Sequence, residues 1–217
     1  IIKTESNTLI AGCKNTIIPN SVIAIGSHAF HDCSSLISIN IPDSVTSIGD
    51  ESFYGCTALT NIILPSSITS ISRFTFGRCL SLTNINIPNT VTFIGDCAFA
   101  YCTSLTSINI PNSVTSIGSQ ILKGCSLTSL FIPYSLSSVD DESFRNLYID
   151  TLNIALETPF NLSYGNHYLL NSKIINIPCG TYVNYQNIWG YGNYHEPDAD
   201  VVFTVTTLNE DMGTAVI

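Results

Sequence analysis

Residues 42–64 read PDSVTSIGDESFYGCTALTNIIL, and residue 65 is again a proline. Outward from this stretch, prolines stand at 19, 42, 65, 88 and 111, and cysteines at 33, 56, 79, 102 and 125. Phenylalanines at 30, 53, 76 and 99 keep the same step of 23 residues, and Leu122 takes that slot in the following unit. Three residue types sharing one period define a repeat, which has to be read before any single element. The unit is P-x-S/T-V-T-x-I-G-x-x-x-F-x-x-C-x-x-L-x-x-I-x-I, complete in Pro42, Val45, Ile48, Gly49, Phe53, Cys56, Leu59, Ile62 and Leu64. The unit from Pro111 is one residue shorter after Cys125 and brings Pro133. A further 22 residues end at Ala155, where proline is lost, and 23 more lead to Pro178. The period outlives the consensus, which predicts a continuing coil past residue 155 and not a new domain.

A unit this short cannot bury its own apolar face, so each must stack on its neighbours as a solenoid. In Leu59-Thr-Asn-Ile62-Ile63-Leu64, residues 62 and 64 point one way and 61 and 63 the other, which is strand periodicity. The proline that follows has no N–H to donate and ends a parallel ladder. The V-T-x-I-G run has a second β-like alternation, then a glycine suited to a tight corner. The segment DESFYGC is too short for an independent helix and predicts a turn or a single helical or 3₁₀ turn. Strands ~4.8 Å apart would pile about eight coils into roughly 40 Å.

Composition narrows the function. Of 217 residues, 45% are hydrophobic and only 11% charged, and seven Lys+Arg face sixteen Asp+Glu for a net charge of -9. That balance argues against nucleic acid, whose phosphates demand Lys and Arg. No apolar run approaches the ~18–20 residues that span a bilayer. The chain opens as IIKTESNTLI, without an initiator Met or a signal peptide, so it is expected to be a mature or excised piece of a longer protein.

The cysteine series invites two readings, a disulfide or metal ladder and a buried spine. A spacing of 23 is unlike the C-x₂₋₄-C of zinc sites. Thiols in adjacent coils would lie ~4.8 Å apart, beyond the ~3.8 Å mean Cβ separation of a disulfide. Leu147 and Leu169 occupy the same slot later, and a position that accepts leucine is a packing position. The spine is expected; Cys13, Cys97 and Cys179 lie off it and stay unassigned.

Solenoids bind on the surface their sheet presents. Its outward positions are Ser38, Asn40, Asn61, Ile63, Asn84, Asn86, Ser107, Asn109, Ser129, Phe131, Thr151 and Asn153. This nearly uncharged face is the candidate binding surface, with Phe131 and Ile63 as anchors, against the alternative that it is simply solvated. A second candidate is Tyr182, Tyr185, Trp189, Tyr191, Tyr194 and His195, rings able to stack on a sugar but better suited to covering the open solenoid end. Of four histidines, His28 and His31 flank Phe30 in a variable turn, while His167 and His195 sit in the irregular region. No nucleophile–base arrangement emerges. Two acidic groups, Asp140, Asp141 and Glu142, and Glu196, Asp198 and Asp200, offer oxygen ligands for Ca²⁺ but lack an EF-hand pattern and read as solvated loops. No metal, cofactor or catalytic residue is expected.

The motif I-P-x-S-V-T-x-I-G-x-x-x-F-x-x-C-x-x-L, over about residues 16–154, resembles the BspA-like leucine-rich repeats of bacterial surface proteins. The fold class implied is a repeat solenoid, a leucine-rich-repeat right-handed coil with one parallel β-strand per 23-residue unit and short turns or 3₁₀ segments opposite. Residues 1–178 would be the solenoid. Residues 179–197 would be an aromatic cap, with IINIPCGTYVNYQNIW similar to the family's closing unit, and 198–217 a terminal strand or the start of a β-rich module. The resemblance implies an extracellular or cell-surface location and adhesion to a protein or glycoprotein through the sheet face. The alternative is a non-binding spacer in a larger surface protein; an enzyme is not expected.

Overall fold

The computed structural model describes residues 1–160, 169, 172, 174–178, 184, 188 and 202–205. Its strands are short. In chain order they are β1 (Ile2–Lys3), β2 (Thr8–Leu9), β3 (Ala24–Ile25), β4 (Ser47–Ile48), β5 (Asn61–Ile63), β6 (Ser70–Ile71) and β7 (Asn84–Asn86). There follow β8 (Phe93–Ile94), β9 (Ser116–Ile117), β10 (Ser129–Ile132), β11 (Ser138–Val139), β12 (Thr151–Ile154), β13 (Ile174–Ile177) and β14 (Val202–Val205).

The L-x-x-I-x-I runs form the expected parallel ladder, β5 on β7 and then β10, β12 and β13 in sequence, and β14, which lacks the repeat motif, pairs parallel with β13. Asn61 pairs with Asn84 and Ile62 with Ile85, one period apart, while Phe131 pairs with Asn153 across the shortened unit. The V-T-x-I runs make a second ladder: β2, β3 and β4, then β6, β8, β9 and β11, all parallel. Each repeat in these stretches thus presents strand on two sides. At the start, β1 pairs antiparallel with β2 and covers the first edge.

The third side is built of turns with a ladder of their own. Glu51, Phe53 and Gly55 donate N–H groups to the carbonyls of Arg73, Thr75 and Gly77 in the next coil, at 2.9, 3.0 and 2.8 Å. Tyr54 and Cys56 donate back within the coil to Glu51 and Phe53, at 3.1 and 3.2 Å. Sending alternate amides in opposite directions requires left-handed residues. His28, Glu51, Phe74, Cys97 and Gln120 have positive φ in one slot, and Asp32, Gly55, Arg78, Tyr101, Gly124 and Asn146 in another. The backbone groups are satisfied on this side without a helix.

Gly49 answers to a different constraint from the corner expected of it. A Cβ there would stand 2.6 Å from the Ser27 amide nitrogen, and one on Gly95 2.9 Å from that of Arg73. At these two glycines the preceding coil's backbone leaves no room for a Cβ unless one of the two shifts. Where Ser72 replaces this glycine, its Oγ donates to the Ile48 carbonyl at 2.7 Å.

The core is a stack of identical contacts. Phe30, Phe53, Phe76 and Phe99 are fully buried, with ring centroids 5.0, 5.6 and 5.7 Å apart and planes within 10° of parallel. Offset stacking suits the ring quadrupoles. Leu122 and Phe144 continue the column, buried. The described cysteines are free thiols. Cys56, Cys79, Cys102 and Cys125 donate S–H to the carbonyls of Phe30, Phe53, Phe76 and Phe99 of the coil before, at 3.1–3.2 Å. The spine packs as expected, with Leu147 and Leu169 buried in the same slot, and it also joins coils by weak hydrogen bonds.

The hydroxyls of the S/T-V-T run serve the same end. Ser44, Thr90 and Ser135 donate to the carbonyls of Val22, Ile68 and Val114 at 2.7 Å. Thr46 and Thr92 donate to Ile23 and Thr69, each one coil back, at 3.2 and 3.3 Å.

Candidate binding surface

Strand alternation fixes which side chains leave the core. Ile62, Ile85, Ile108, Leu130 and Leu152 point inward and are buried. Their neighbours Ser38, Asn40, Asn61, Ile63, Asn84, Asn86, Ser107 and Asn109 are exposed, while Ser129, Phe131, Thr151 and Asn153 are half-buried. Eight of the twelve lie on β5, β7, β10 and β12, in two separate sheets, while Ser38, Asn40, Ser107 and Asn109 lie outside the strands, with Asn40 bridging to Ile63. No charged residue is among them. Ile63 is 70% exposed, an unusual position for a large aliphatic side chain.

The amides of this face divide into two groups. Asn153 Oδ1 accepts from Asn176 Nδ2 at 2.7 Å, so the face partly satisfies itself near β13. Asn40, Asn61, Asn84, Asn86 and Asn109 have no side-chain hydrogen bond to protein among the described residues. Beside them Phe131 lines an open groove of about 470 Å³ with Asn89, Asn109, Ile110, Pro111, Asn112 and Ser113. Ser113 sits in the slot whose hydroxyl clips Ser44, Thr90 and Ser135 to the coil before, yet its own buried Oγ has no partner. An aromatic side chain and the exposed amides of Asn89, Asn109 and Asn112 meet in one place, while the Ser113 hydroxyl beside them is closed to solvent.

A second cluster escaped a reading confined to single units. His28 and His31 belong to one coil and Glu51 to the next, and each offers one ligand atom within 4.8 Å of the others. Subtracting one period reveals it: Glu51 lies 23 residues after His28, and Tyr54 lies 23 after His31. The acidic group at 140–142 is instead tied up locally. Glu142 meets Arg145 at 2.6 Å and Gln120 at 2.8 Å, and Asp140 Oδ1 accepts the Glu142 amide at 3.0 Å. The aromatic cluster at 182–195, with Cys179, His167, Glu196, Asp198 and Asp200, lies outside the described residues. Among the described residues no helix is long and apolar enough to cross a membrane.

The family model of the BspA type leucine rich repeat region matches in six copies, over residues 7–79, 23–149 and 69–187. This chain belongs to that family. Among solved structures, the BspA-type chain is similar to a leucine rich repeat protein of T. pallidum, at 26% identity and a TM-score of 0.53. That match covers 76% of this chain and 86% of the other. It is also similar to a leucine rich cell surface protein of Faecalibacterium prausnitzii, at 25% identity and a TM-score of 0.53, covering 74% of this chain and 53% of that one. No curated protein matches.

Proposed function

We propose that this BspA-type chain is a protein-interaction module of a bacterial surface protein, binding a protein or glycoprotein through its outward sheet face without catalysing a reaction. The observation that carries the reading is the groove at Phe131, where an aromatic side chain adjoins the exposed amides of Asn89, Asn109 and Asn112. Aromatic residues dominate interface hot spots, and amides that make no internal bonds can exchange their water for a ligand, each for a modest net gain of about 0.5–1.5 kcal/mol. The surface location is supported by the similarity to the F. prausnitzii cell surface protein.

Matrix-protein and glycan arrays probed with the intact chain test the proposal. Phe131→Ser and Asn109→Ala should each weaken a positive signal at least tenfold in chains whose far-UV circular dichroism matches that of wild type. A spacer without a binding face is the second reading, favoured by the self-satisfied Asn153–Asn176 pair. Binding that survives Phe131→Ser together with Asn84→Ala and Asn86→Ala would remove the sheet face from consideration.

A further inference from the structure

Away from the sheet face, on the turn side, the first two full coils bring two imidazoles and a carboxylate together. His28 and His31 share one turn, closed by the His31 amide donating to the His28 carbonyl at 3.0 Å. The neighbouring coil is stitched on by the His28 amide donating to the Asp50 carbonyl at 2.9 Å. One oxygen of Glu51, Oε2, then lies 3.6 Å from His28 Nδ1 and 3.4 Å from His31 Nε2. Ligands held ~2.0–2.1 Å from a tetrahedral Zn²⁺ stand ~3.3–3.4 Å apart, so these two edges already approach the dimensions of such a site.

We propose that His28 Nδ1, His31 Nε2 and Glu51 Oε2 bind a divalent cation of the Zn²⁺ class across two adjacent coils, with water in the fourth position. Three further features fit. His31 Nδ1 lies 3.2 Å from Asp32 Oδ2, the carboxylate–histidine arrangement that holds a ligating imidazole with its other nitrogen toward the metal. The His31 ring stacks on Tyr54 at 5.0 Å between centroids, which fixes its plane. His28 is 57% exposed and Glu51 only 20%, so the site is open to solvent on one side and backed by protein on the other. A mixed imidazole and carboxylate set suits zinc over the oxygen-seeking Ca²⁺ and Mg²⁺. One contact opposes binding: Arg73 Nη2 lies 3.0 Å from Glu51 Oε1, a positive charge beside the carboxylate.

That opposition makes the test specific. Titration calorimetry with ZnCl₂ on the Cys13→Ser chain, which removes an exposed thiol as a competing ligand, should give one bound ion per chain. In that background His31→Ala and Glu51→Gln should each weaken binding at least tenfold, and Asp32→Asn by ~10-fold or more. Arg73→Ala should tighten binding several-fold, a change no merely structural role produces. Diethylpyrocarbonate labelling of the wild-type chain, mapped by mass spectrometry, supplies a readout independent of the variants: Zn²⁺ should protect His28 and His31. Absence of stoichiometric binding, affinity unchanged in His31→Ala, or equal labelling of both histidines with and without Zn²⁺ would each overturn the site.

Discussion

At Cys56 the side chain does two things at once: it fills a fully buried slot and donates to the Phe30 carbonyl at 3.1 Å. Burial disfavours the thiolate, pushing Cys56 and Cys125 up from 9.0 to about 12, and Cys79 well above its ordinary value. Exposed Cys13 is lowered, chiefly by the backbone hydrogen bond from Asn15 and then by Thr16. Cys13 should therefore react with a thiol reagent at least tenfold faster than Cys56, Cys79 or Cys102, read by peptide mapping. The sign of the pH effect follows from proton counts. Between pH 9 and about 12 the folded thiols keep protons that the unfolded chain has lost, so stability falls as pH rises through that window. Below pH 9 their contribution is fully present. The melting temperature should drop on going from pH 9 to 11, and less steeply in Cys56→Ala than in wild type; equal slopes would refute the assignment.

At the scale of the coil, the decisive contacts are backbone to backbone. Gly49→Ala puts a methyl 2.6 Å from the Ser27 nitrogen and should cost about 1–3 kcal/mol, the usual range for overpacking. Gly26→Ala, whose nearest backbone neighbour is the Leu9 oxygen at 3.1 Å, should cost less. Arg78 is left-handed, φ 58°, in the slot that Gly55 and Gly124 fill; Arg78→Gly should stabilise by roughly 0.5–1 kcal/mol, since an L-residue there is strained. Urea melts of the three variants check the ranking.

The strand of the L-x-x-I-x-I run, the Phe column and the thiol spine were all legible, because each repeats at a fixed offset and side-chain type reports burial directly. The turn-side ladder was not. Its left-handed slots hold His, Glu, Phe, Cys and Gln in turn, so residue type carries no trace of the φ that the stacking imposes. The His28–Glu51 cluster was hidden for a related reason: its members lie in different units, and a consensus averages such neighbours away. The outward positions were readable from alternation alone, whereas the groove at Phe131 depends on Asn89, Pro111 and Ser113, which belong to other units and meet it only when the coils stack.

For the whole molecule, the distribution of charge matters more than its sum. The chain carries a net charge of -9, yet the outward ladder positions include no ionisable side chain, and the described ion pairs, among them Arg73 with Glu51 and Arg145 with Glu142, lie elsewhere. Association through the sheet face should therefore change less than threefold in affinity between 50 and 500 mM salt, measured by surface plasmon resonance, because there is little charge there to screen. A steep salt dependence would move the binding site to another side of the solenoid.

Because the Phe53–Phe76 and Phe76–Phe99 contacts are nearly superimposable, a middle coil meets the same surroundings above and below as its neighbours do. Deleting or duplicating the coding segment for one such coil would leave every junction chemically familiar and alter only reach, by about 4.8 Å each time. Unequal recombination within the gene would thus adjust this protein like a ruler with interchangeable divisions, lengthening or shortening the array without redesigning its ends.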